Sequence, residues 1–180
     1  MAESYGKPTD LAATQAINKR DFDLSTLDDH LRVDLLCQEL LKRFYLDLLE
    51  RGESPEGATG LARGADYFVR DFVVDNRGQN IFAEERGVVR QFAGNWYIVN
   101  NLDPNIEELA GHLAGVKAFY RYLNARELIS GGFLEAVEKE CGDVAYYAGR
   151  IESFWEIRGD GYPEWERECS LKGSGVERDE

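Results

Sequence analysis

A chain of 180 residues, 43% hydrophobic, with nine Phe, nine Tyr and three Trp, can bury one sizeable core. That excludes wholesale disorder and points to a single domain. The formal charge of −13 argues against a uniformly phosphate-binding surface, but it divides unevenly: −4 over residues 1–40, −2 over 41–130 and −7 over 131–180. The middle of the chain is nearly neutral.

Residues 1–24 are polar and aperiodic and read as a flexible arm. Ser25 and Asp28 suggest a capping-box variant that opens a long helix. In it Leu27, Leu31, Leu35, Leu41, Tyr45, Leu48 and Leu49 mark a broad apolar face, and Gly52 is suited to end it. Ser54 and Pro55 supply an N-cap and a first helical residue for the second helix. That helix turns Leu61, Ala65, Phe68 and Phe72 inward and ends near Asn76-Arg77-Gly78. Gly57, Gly60 and Gly64 weaken it, and the pair Gly60 and Gly64 suits close approach by another helix.

A third helix from Gly87 to Asn100 turns Val89, Phe92, Ala93 and Trp96 inward. The fourth has Asp103 as its expected N-cap and Pro104 as its first residue. Ile106, Leu109, Leu113, Val116, Tyr120 and Leu123 form its stripe. After Gly131-Gly132 a fifth, acidic helix is expected over 133–157, carried by Leu134, Val137, Cys141, Val144, Ala148, Ile151 and Trp155. Residues 159–180 read as a charged tail from which Trp165 could dock on the body. The expected fold is therefore all-α, a domain of five main helices over 25–158.

Cys37, Cys141 and Cys169 are odd in number and far apart, with no CxxC pair. They read as reduced thiols, Cys37 and Cys141 within the core, in a cytoplasmic protein. No signal peptide or membrane span is expected. His112 follows Glu108 by four and His30 precedes Asp34 by four, the wrong spacing for a Glu-x-x-His metal bundle. No phosphate loop, nucleophile–base pair or metal set is present, so neither enzyme activity nor a cofactor is expected.

Three stretches resemble one family. Leu41-Lys42-Arg43-Phe44 runs to Leu49 and is followed by Glu50-Arg51-Gly52-Glu53-Ser54-Pro55. Tyr67-Phe68-Val69-Arg70-Asp71-Phe72 is an aromatic-rich helix end. Leu113-Ala114-Gly115-Val116-Lys117-Ala118-Phe119-Tyr120-Arg121-Tyr122-Leu123 combines a leucine, a basic residue, an aromatic pair and a Tyr-Leu ending. Together, over residues 35–130, they resemble the SAM-like core-binding domain of tyrosine recombinases and phage integrases. The resemblance implies a four-helix unit that clamps duplex DNA through basic residues and performs no chemistry itself. The family's catalytic domain has no counterpart here, and the second helix carries three glycines where the family prefers helix formers.

Arg63, Arg70 and Arg77 are spaced by seven, which in an α-helix places them on one face. With Lys117 and Arg121 they are the candidate DNA contacts. The alternative is a solvated face whose arginines pair with Asp66, Asp71 and Asp75. A second reading of the whole chain is an acidic helical module for protein interaction or self-association.

Overall fold

In the computed structural model, which describes residues 16–169, every regular element is helical. The expected all-α class therefore holds for the described residues, but the division into helices differs. Helix α1 is Leu27–Glu50. Helix α2 runs as Pro55–Asp66 and continues without a break as a π-helical stretch, Tyr67–Asn76. Helix α3 comprises Val88–Gln91, a π-turn Phe92–Trp96 and Tyr97–Asn100. Then follow α4 (Ile106–Asn124), α5 (Gly131–Gly142), α6 (Val144–Trp155) and α7 (Tyr162–Glu168). Among the described residues no helix is long and apolar enough to cross a membrane.

Local chemistry explains most of the boundaries. Ser54 caps α2 through a hydrogen bond from the Gly57 N–H, with Pro55 behind it, as its sequence suggests. Two other caps sit one or two residues later than expected. The capping box of α1 is Thr26 with Asp29, not Ser25 with Asp28, and the N-cap of α4 is Asn105, not Asp103. Gly52, Gly78 and Gly87 close or open helices at positive φ, where a side chain would be strained.

The fifth helix expected over 133–157 is two helices. The chain breaks at Asp143, whose φ of −82° and ψ of 44° are not helical. Part of the expected tail is also structured: α7 docks, and Trp165 is buried. Within the expected arm, residues 19–22 form a 3-10 turn that packs Phe22 edge-on against Phe82 at 4.9 Å. The expected arm's residues 1–15 and the tail from residue 170 lie outside the described residues.

The core is aromatic and continuous. Phe44, Phe68, Phe72, Phe92, Tyr97, Phe119, Tyr120 and Tyr147 are all buried. Helices α2 and α4 make the most extensive contact, and glycine permits it. A Cβ on Gly64 would lie 2.9 Å from the His112 backbone, and one on Gly115 would overlap the Leu61 carbonyl. The close approach foreseen at Gly60 and Gly64 is thus made by Gly64 with Gly115, while Gly60 faces open space.

Two polar ties hold the other end. On α5, Glu140 accepts hydrogen bonds from the backbone N–H groups of Gly87, Val89 and Arg90, capping α3 from a distant element. On α6, Arg150 is 3% exposed, donates to the Gly94 carbonyl and to Glu168, and stacks over Trp165 at 3.8 Å. Among the described residues, its Nη2 is the only fully buried side-chain polar atom with no hydrogen-bond partner.

Candidate interaction surface

Helix α1 shows how the surface arises. Its buried residues are Val33, Cys37, Leu40, Leu41 and Phe44, which recur at three- and four-residue steps and face the core. Leu27, Leu31 and Leu35 repeat every four residues on a different line, roughly 140° further round the helix. They are 78%, 66% and 63% exposed. The expectation of one broad inward face therefore fails for these three. Each α1 position satisfies helical spacing, but only one side of the rod meets α2 and the π-helical stretch after it.

The exposed line continues along α1 into a groove between α1 and α2. Gln38, Lys42 and Tyr45 form its α1 wall, and Thr59, Ala62 and Arg63 line it from α2, enclosing about 430 Å³. Beside the groove lies an ionic knot. Arg70 holds Asp34 with two hydrogen bonds, of 2.7 and 3.2 Å, and donates a third to Asp66 at 3.0 Å. The Arg70 hydrogen bond holds the Asp34 carboxyl below its ordinary range, and the same bond strengthens the guanidinium's hold on its proton. Asp71 behaves oppositely. Burial, and then the nearby Asp66, Asp75 and Asp34 charges, push its carboxyl up, with Arg70 opposing them.

The five candidate DNA contacts are not gathered onto one basic surface. Arg63 is exposed at the groove. Arg70 is committed to Asp34 and Asp66. Arg77 donates to Gln79 and pairs with Glu85 at 2.8 Å. The π-helical geometry accounts for its direction: the Arg77 N–H bonds to the carbonyl of Phe72, five residues back. Seven residues of this wider spiral turn through less than they do in an α-helix, so Arg77 does not follow the line that ideal α-helical spacing predicts. Arg121 pairs with Glu138 on α5, and half-buried Lys117 sits near enough to Cys141 for its charge to act on that thiol.

The remaining polar candidates serve packing. His112 packs tilted against Tyr67 and edge-on against Tyr97, at ring distances of 4.8 and 5.8 Å, and burial lowers its proton affinity. The Cys37 and Cys141 thiols are pushed up to about 12 by burial, which leaves them protonated and unreactive at neutral pH. Among the described residues no three His, Cys, Asp or Glu side chains form a set that could hold a metal ion.

The chain matches no family profile, no curated protein and no solved structure.

Proposed function

We propose that this chain is a non-catalytic helical interaction module that works through the outer face of α1. One observation carries the reading: Leu27, Leu31 and Leu35 stand in water on successive turns of a helix whose opposite side is core. Fully burying a leucine is worth about 1.5–3 kcal/mol, so such a row is a ready store of binding energy. Contiguous exposed apolar surface of this kind marks interaction sites in soluble proteins. The likeness of residues 35–130 to recombinase core-binding domains enters here as a proposed origin of the helical unit. Duplex DNA takes second place as a partner, because Arg70, Arg77 and Arg121 already carry acidic partners.

The double substitution Leu31→Gln, Leu35→Gln tests the reading. A docking face predicts unfolding free energy within about 0.5 kcal/mol of the parent chain, measured by urea denaturation. A loss of about 2 kcal/mol or more would show that these leucines are covered within the folded chain, and the proposal would fall. Fluorescence anisotropy with a random-sequence duplex at about 50 and 200 mM salt decides the DNA reading. Tight binding that collapses at the higher salt, and on Arg63→Glu, would restore it.

A further inference from the structure

The three leucines follow a straight line on one helix and span about 12 Å, two turns of a rod. The complement of a straight leucine row beside a groove is another amphipathic helix, which presents its own apolar residues at three- and four-residue steps. The charges around the row decide what kind. Asp28 and Asp34 belong to the same turns as the leucines. Asp66, Asp71 and Asp75 lie on the neighbouring α2 run, and the charges of Asp66, Asp75 and Asp34 all act on the Asp71 carboxyl. Two arginines lie among them and both are engaged: Arg70 is divided between Asp34 and Asp66, and Arg32, on the leucines' own turns, is held by Asp29. The mutual repulsion of these aspartates is relieved when a cation arrives. A second copy of this chain brings the same aspartates and a further −13 of charge, so like faces repel.

We propose that the α1 face receives a basic amphipathic helix, with leucine-type residues on the Leu27–Leu31–Leu35 row and Lys or Arg against the aspartates. This inference rests on the reading of α1 as a docking face and names its partner. Lys42 and Arg63 line the groove together with Asp66. Asp28 and Asp34, on the turns that carry the leucines, mark the acidic part of the row, and the basic residues of the partner gather there.

The test uses the full chain and a fluorescently labelled leucine–lysine model helix of about fourteen residues, some four turns. A leucine–glutamate peptide of the same pattern is the control. Anisotropy is measured at about 50 and 300 mM salt, where the Debye length shrinks from above 10 Å to well below it. The lysine peptide is expected to bind, with affinity falling at least tenfold in Leu31→Gln/Leu35→Gln. In Asp71→Asn/Asp75→Asn it should weaken and lose part of its salt dependence. Equal binding of the glutamate peptide overturns the proposal. So does undiminished lysine-peptide binding by the leucine variant, which would mean attraction by bulk charge alone. If the lysine peptide fails to bind while the leucine variant keeps full stability, only the basic partner is wrong. If that variant loses stability, the docking face itself is wrong.

Discussion

The α2–α4 crossing and the outer face of α1 are both regular helical patterns, yet one is shut and the other stands open. At the crossing, Gly64 and Gly115 bring two backbones together so closely that neither position has room for a Cβ. On α1, three leucines with equally regular spacing touch little. Helical spacing identifies a stripe, but burial goes to the stripe that a neighbouring element can reach. Small residues decide that reach, because they set how near two helices come.

The sharpest way to break this comparison is Gly115→Ala. The new methyl would overlap Leu61 and Ala65 backbone atoms, and overpacking of this kind should cost about 3 kcal/mol. That outweighs the gain of roughly 1 kcal/mol in helix propensity. The same change at Gly60, where nothing lies within 4 Å, should instead stabilise by about 0.5–1 kcal/mol. Urea unfolding curves of the two variants should therefore shift in opposite directions. Shifts in the same direction would mean that the crossing is not made by glycine.

Next in size is Arg150→Met, which keeps bulk but removes two hydrogen bonds and the stacking over Trp165. A loss of about 2–3 kcal/mol is expected, since bonds to a charged donor are stronger than neutral ones. Proteolysis should then cut first around α7 if Arg150 is what seats it. Glu140→Gln should follow, at about 1–2 kcal/mol. A carboxamide oxygen replaces a carboxylate that serves three backbone N–H groups at a helix start. Hydrogen exchange at Val89 and Arg90 would report it directly.

A smaller effect is the acid limb of stability. The Asp34 carboxyl lies below its ordinary value of 3.8, chiefly through the Arg70 hydrogen bond. A depressed folded value means that its stabilisation is complete above 3.8 and is lost as pH falls through the lower folded value. Arg70→Gln should remove that part of the slope. Asp71, raised by burial, acts in the opposite sense and should remain. An unchanged slope would mean that the ion pair adds nothing to folding. Smallest of all is the leucine pair on α1, whose near-zero change in stability is itself the prediction.

Much of this molecule is visible in its letters. Helical periodicity locates α1, α2, α3 and α4, and Ser54-Pro55 and Gly52 mark boundaries that the structure keeps. These are local effects, set by side chains within a turn of the groups they satisfy. The same periodicity carries straight across Asp143, because an apolar residue recurs every three or four positions on either side of the break. A break in the dihedrals at one residue leaves no mark in that spacing. The π-helical stretch was equally hidden, and with it the direction of Arg77.

What the amino-acid sequence determined by itself is an all-helical chain with the Ser54-Pro55 helix start, the Gly52 stop and its stock of apolar stripes. Only the tertiary structure decided which stripe is buried, which glycine is crossed and which arginine is already spoken for. Glu140 caps α3 from more than fifty residues downstream, and Arg70 reaches Asp34 across thirty-six. The physical reason is one of range. A helix cap or a turn is satisfied within a few residues, whereas burial and ion pairing depend on which distant surface arrives beside a side chain.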